Sequence, residues 1–213
     1  LPKHLNDIAK DLKPIPDKPL HFKLATHMEN VINGELQPFF EIHDSRYMMY
    51  WLALGENDYK AYMQKLADEE KARQALEART VDKVSPGEQQ PETDHRMETD
   101  DSNKGNTEGI FFRDAEDGHF SYLMQTKGET NLSLQLKFWG QDEWRTSEFD
   151  IYVNDKLLCS VNNSHRWRTT QFKTVDYAIP SEFVKGKKEI RVKFVAQKGK
   201  QVGQIYGVRL VKN

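Results

Sequence analysis

Between His119 and Val211, apolar residues recur at every second position in one segment after another. Phe120, Tyr122 and Met124 alternate with polar partners, as do Leu132, Leu134, Leu136 and Phe138, and then Phe149, Ile151 and Val153. Phe172 and Tyr177 flank a looser run, after which Ile190, Val192 and Phe194, and last Ile205, Val208 and Leu210, repeat the pattern. Successive strand side chains point to opposite faces, so a period of two marks strands half-buried against one core. Short segments with regular turns predict an antiparallel β-sandwich or jelly roll, with strands near 110–113, 119–126, 131–139, 148–153, 157–161, 171–178, 188–196 and 203–211. Val153-Asn154-Asp155-Lys156-Leu157 reads as a hairpin, because Asn and Asp tolerate the positive φ of a tight turn. Residues 180–184 predict a helical turn before the Lys185-Gly186-Lys187 bend.

The rest of the chain is less regular. Pro2, Pro14, Pro16 and Pro19 interrupt any long helix at the start, leaving room for a helical turn from Asn6 to Leu12. Leu20, Phe22 and Leu24 alternate as a strand, Asn33-Gly34 reads as a turn, and Leu36–His43 as an edge or bulged strand carrying Pro38. Tyr47–Leu54 is apolar on both faces, as for a strand covered from two sides. These strands need partners, and the expectation is that residues 1–54 are the remnant of a sandwich begun upstream of a chain that starts without Met. Residues 55–79 form the one long helix, running from Glu56 to Arg79. Tyr59, Tyr62, Met63, Leu66, Arg73 and Leu76 make a stripe on it expected to pack into a core. Residues 80–108 hold eight acids, Pro86, Gly87, Pro91 and Gly105 with little apolar material, and read as an acidic connector. Residues 109–213 are the sandwich.

Net charge is −2, but residues 1–117 carry 15 Lys and Arg against 24 Asp and Glu, whereas residues 118–213 carry 16 against 9. A basic sandwich can meet an acidic polymer or dock onto the acidic half of its own chain. Basic residues scattered without a continuous stripe argue against nucleic acid. No apolar run approaches the about 20 residues a spanning helix needs, so no membrane partner is expected. The single cysteine, Cys159, excludes an internal disulfide and a multi-cysteine metal site, and its place in a strand reads as a small buried hydrophobe.

Glu88, Glu92, Asp94 and His95 lie close enough for a metal or acid–base site, although a connector offers hard cations no fixed scaffold. A solvated acidic loop is the simpler reading. His43-Asp44-Ser45-Arg46 holds the residue types of a hydrolytic triad, but neighbours on a strand diverge, and a tight turn explains them. Neither metal nor cofactor is expected. The aromatics say more. Trp139 and Trp144 bracket Gly140-Gln141-Asp142-Glu143, and Trp167 sits in a second polar loop. Sugar rings pack apolar C–H faces on flat indoles while their hydroxyls need fixed partners such as Arg113, Asp114 or Gln141. Loop tryptophans at one end of a sandwich would form such a platform, or they would plug that end.

Phe39-Phe40-Glu41-Ile42-His43-Asp44-Ser45-Arg46-Tyr47-Met48-Met49-Tyr50-Trp51, followed by Arg79-Thr80-Val81-Asp82, Pro86-Gly87-Glu88-Gln89-Gln90-Pro91-Glu92 and Asp94-His95, resembles the C-terminal region of glycoside hydrolase family 127, the β-L-arabinofuranosidase-like enzymes. Phe149-Asp150-Ile151-Tyr152-Val153 and Val208-Arg209-Leu210 resemble the β-sandwich appended to many of them. The resemblance implies an upstream α/α barrel, in which a zinc-held cysteine acts with further cysteines and a glutamate, and a periplasmic or secreted location. With one cysteine in a strand, none of that catalytic set maps onto this chain. The expectation is therefore a mainly β, non-catalytic accessory region with a galactose-binding-like jelly roll. It would hold a plant-type glycan through Trp139, Trp144 and Trp167, or brace the upstream catalytic domain without a ligand.

Overall fold

A computed structural model of the chain describes residues 12–25, 33–38, 55–141 and 146–213. The chain divides into two compact units, Leu1–Lys60 and Ala61–Asn213. The first contains a three-stranded antiparallel sheet in the order β1 (Leu12–Pro14), β2 (Phe22–Ala25), β3 (Asn33–Leu36), with Phe22 opposite both Pro14 and Leu36. Asn33 and Gly34, expected as a turn, lie inside β3 and pair with Ala25 and Leu24. Leu20 sits in a turn with φ 62° and does not begin β2. The turn at 43–46, the strand at 47–54 and most of the helical turn from Asn6 lie outside the described residues.

Helix α1 (Glu56–Arg79) has the expected bounds. Pairs one turn apart hold its surface, Arg73 with Glu70 and Gln64 with Asp68 among them. Its last turn, itself part of the second unit, is fastened to the C-terminal residues: Arg79 Nε donates to the Lys212 carbonyl at 2.9 Å and Arg209 Nη1 to Glu77 at 2.9 Å. The packing expected of its stripe does not hold. Tyr59, Tyr62, Met63 and Leu66 are all exposed, and Glu69, Glu70 and Arg73 continue their face toward Leu76.

The second unit is a nine-stranded antiparallel sheet folded nearly closed on itself. Its strands are β4 (Thr80–Val84), β5 (Glu98–Thr107), β6 (Ile110–Gln125), β7 (Leu132–Trp139), β8 (Glu148–Val153), β9 (Lys156–Asn162), β10 (Phe172–Ile179), β11 (Glu189–Ala196) and β12 (Gln201–Lys212). Two short helices, α2 (Gln89–Asp94) and α3 (Ser181–Val184), join them. β6 and β12 are long enough to belong to both layers. The start of β12 pairs with the start of β6, Val202 opposite Ala115; its later half runs between β4 and β7, Val208 facing Val84 and Leu136. One layer is thus β5-β6-β11-β8-β9 and the other β4-β12-β7-β10.

The alternation read from the sequence is the core between these layers. Phe120, Tyr122, Met124, Leu132, Leu134, Leu136, Phe149, Ile151, Val153, Ile190, Val192, Phe194, Ile205, Val208 and Leu210 are fully buried in one cluster. Burial of each such side chain stabilises by about 1.5–3 kcal/mol, so this face fixes the register of every strand. The hairpin after Val153 has φ 49° at Asn154 and 63° at Asp155, both positive as the turn requires.

Residues 80–108 differ from the expected connector. They contribute β4 and β5 to the sheet and carry α2 between them. Val81 and Val84 reach the core from β4, whereas β5 is polar throughout and pairs with β6 alone. An edge strand of this kind is held by main-chain bonds and needs no apolar side chain.

Candidate functional site

The end of β7 and the loop before β10 are drawn together at Gly140. Its N–H donates to the Gln171 carbonyl at 3.0 Å and its carbonyl accepts from Thr169 N at 3.2 Å. A Cβ here would lie 2.7 Å from Thr169 Oγ1 and 2.8 Å from the Gln171 carbonyl oxygen, so the approach requires glycine. Trp139 and Trp167 both contribute to the lining of one small crevice beside this contact.

Trp139, half-buried, meets Phe172 edge to face with centroids 4.8 Å apart. Trp167, also half-buried, lies 5.7 Å from Phe138 at a tilt of 31° and so extends the core outward, while the Arg166 guanidinium covers its ring at 4.7 Å. The crevice is lined by Trp139, Gly140, Ser147, Asn163 and Trp167 and encloses about 10 Å³. That is room for one hydroxyl or water oxygen and not for a sugar ring.

Two polar atoms here lack partners. Ser147 Oγ and Asn163 Nδ2 are buried without a hydrogen bond, in residues 2% and 8% exposed. Asn163 Oδ1 already accepts from Arg166 Nη1 at 3.0 Å, and Asn163 N donates to the Ser147 carbonyl at 2.8 Å, which holds the two side chains together. An amide N–H donor beside a hydroxyl complements an incoming hydroxyl group. Left dry, each such group would cost about 1–3 kcal/mol, and either a water or an incoming hydroxyl of this size removes that cost.

Of the sugar-contact candidates, Trp139 and Trp167 are therefore brought together and Gln141 stands exposed in the turn beside them. Trp144 lies outside the described residues. Arg113 and Asp114 are buried in β6, and the Arg113 guanidinium is bound by Glu92 and Ser102. Ser147 and Asn163 had no prior signal beyond being small polar residues flanking the β8–β9 hairpin.

The acidic cluster of residues 88–95 resolves into separate roles. Glu92, only 5% exposed, accepts from Gly87 N, Tyr122 OH and Arg113. Burial opposes its ionisation, but Arg113 and the other donors outweigh this and hold its pKa below the ordinary carboxylate value. His95 instead faces Asp82, with Nε2 3.2 Å from Oδ1. Among the described residues no three His, Cys, Asp or Glu side chains converge to hold a metal. Burial and Asp150 raise the pKa of the half-buried Cys159 thiol, the opposite of nucleophile activation.

No curated protein matches the chain in sequence. In three dimensions it resembles carbohydrate-binding modules. A family 35 module from Clostridium thermocellum shares 8% identity at a TM-score of 0.43, over 62% of this chain and 98% of that one. A family 35 module from an environmental isolate shares 18% at 0.42, over 65% and 91%. An exo-β-1,3-galactanase from Phanerochaete chrysosporium shares 9% at 0.44, over 60% of this chain and 28% of that one. A domain of unknown function, DUF4986, matches residues 1–53. Residues 75–211 match DUF6805, a family of unknown function, and the chain belongs to that family.

Proposed function

We propose that this chain is a non-catalytic accessory region of a carbohydrate-active enzyme, and that the end of its sandwich holds a glycan. The observation that carries the reading is the pair of polar atoms without a protein partner among the described residues, Ser147 Oγ and Asn163 Nδ2, in a one-hydroxyl crevice that Trp139 and Trp167 help to line. A sugar lying across Trp139 and Trp167 would insert one hydroxyl there, with Gln141 beside it. The parent enzyme would be of the β-L-arabinofuranosidase-like kind, on the strength of the residues from Phe39 to Trp51, and catalysis would reside upstream.

Affinity electrophoresis and calorimetry against arabinan- and pectin-type polymers test this. Retardation of the chain, lost in Asn163→Ala with no fall in melting temperature, is the expected result; no retardation by any polymer sinks it. Release of product from aryl-arabinofuranosides by this chain alone would contradict the non-catalytic assignment.

A second reading, a ligand-free brace for the catalytic domain, draws on the seating of Trp167 against Phe138. It predicts that deleting residues 80–213 from the parent lowers its melting temperature while polysaccharide binding stays unchanged.

A further inference from the structure

A second recess lies away from the crevice, on the outer face of the β4-β12-β7-β10 layer. Gln135 and Lys137 alternate with the buried Leu134, Leu136 and Phe138, and Arg209 with Val208 and Leu210, so their side chains turn away from the core. Register lines them up in rows: Thr174, Lys137 and Gly207 across three strands, then Asp176, Gln135, Arg209 and Lys83 across four. The groove they form encloses about 370 Å³, closed at one side by Leu76 at the end of α1. That volume suits one or two sugar rings. Gly207 keeps its floor flat, since a Cβ there would already touch the Lys137 side chain at 3.4 Å.

The charge in this groove is unbalanced in one place. Lys83 and Arg209 share Glu77, at 2.5 and 2.9 Å, and Asp176 accepts from Gln135 at 2.9 Å. Lys137 has no carboxylate partner among the described residues; its ammonium stands 4.1 Å over the ring of Phe172. Burial, with Arg209 nearby, lowers its pKa, the signature of a cation that an anion would stabilise. A cation without a carboxylate partner, over a flat and elongated floor, suits a sugar ring that carries a negative charge.

We infer that this groove binds an acidic saccharide, its carboxylate or sulfate on Lys137 and its ring over the floor at Gly207. The site is additional to the crevice at Trp139 and Trp167; it rests on the reading of the sandwich as a glycan holder but uses none of the crevice-lining residues.

The test is affinity electrophoresis of the full chain in gels holding polygalacturonate, a sulfated galactan, neutral arabinan or poly-glutamate. Retention by either acidic polysaccharide is expected, weakening as salt rises. Lys137→Met should weaken it about tenfold or more, as loss of a charge-assisted hydrogen bond does, and Lys137→Arg should restore most of it. Binding of neutral arabinan should be unmoved by Lys137→Met and lost in Asn163→Ala. Retention of neither acidic polymer, equal retention of poly-glutamate, or an unchanged Lys137→Met would overturn the inference. Absence of arabinan binding by the unaltered chain, with the acidic polymers still retained, would instead strike the crevice and leave the groove standing.

Discussion

Arg113 and Glu92 form a bidentate pair, Nε to Oε1 at 2.6 Å and Nη2 to Oε2 at 2.7 Å, with both side chains less than 10% exposed. The carboxylate also accepts from Gly87 N and Tyr122 OH, so one group ties α2, the turn before it and the middle of β6. Removing one partner strands the other as a buried charge. Glu92→Gln and Arg113→Met should each cost about 3–5 kcal/mol in urea unfolding. The double variant should cost less than the two together, by about 1–3 kcal/mol of coupling. It should not regain full stability, because the amide oxygen of Glu92→Gln still accepts from Gly87 N and Tyr122 OH while its new N–H group meets no acceptor in Arg113→Met. Additive losses would show that the two residues act separately.

Folding should also depend on pH through His95. Its Nδ1 lies 2.7 Å from the Pro91 carbonyl, which can only accept, and its Nε2 3.2 Å from Asp82, so both ring nitrogens are satisfied as donors by the imidazolium. Asp82, helped by the Pro91 carbonyl and opposed by burial, raises the His95 pKa. A raised folded pKa stabilises fully below the ordinary imidazole value, and that contribution disappears as pH rises through the folded one. Asp82 and Glu92 are lowered despite burial, so their contributions hold above the ordinary carboxylate range and vanish as pH falls through their folded values. Urea midpoints should therefore pass through a plateau on the acid side of neutrality and fall on both flanks. His95→Gln should flatten the alkaline flank and reduce Asp82's share of the acid one, leaving that of Glu92; an unchanged alkaline flank would remove His95 from this role.

The sandwich core was legible because period-two alternation with large apolar residues has one structural meaning, and residues such as Phe120, Leu134 and Val192 are buried as that meaning requires. The segment 80–108 was illegible for the converse reason. β5 runs from Glu98 to Thr107 with no apolar residue, so its alternation has no amplitude, and its place in the sheet comes only from pairing with β6. Glu92 read as a solvated acid because its partner, Arg113, lies 21 residues on, and nothing local announces it. At the candidate site, the tryptophans were visible as loop aromatics. Ser147 and Asn163 were not, since a main-chain bond across two loops brings them together and no sequence spacing encodes it.

The exposed stripe on α1 yields a test of the failed packing expectation. Tyr62, Met63 and Leu66 are 40%, 45% and 39% exposed, so substitution removes little buried area. Tyr62→Lys and Leu66→Gln should shift unfolding free energy by no more than about 0.5 kcal/mol, the range for surface positions. Losses of about 2–5 kcal/mol, as for a buried leucine truncated in a core, would restore the packed stripe.

Gly140 supplies the sharpest structural prediction, because its constraint is main chain against main chain. A methyl group would meet the carbonyl oxygens of Thr169 and Gln171 at 2.8 Å each, and neither can turn aside as a side-chain tip could. Gly140→Ala must therefore push the loop before β10 away from β7, stretching the two bonds at 3.0 and 3.2 Å that close it. The cost should be about 1–3 kcal/mol, as for an overpacked site. Trp167 rides on that loop, so its emission should shift to the red and its quenching by acrylamide should rise. Gly207→Ala is the control, since its methyl would make only ordinary contact at 3.4 Å with Lys137. It should leave both stability and emission in place. If Gly140→Ala behaves like the control, the loop is not clamped at Gly140, and the crevice that Trp139 and Trp167 help to line loses the contact that shapes it.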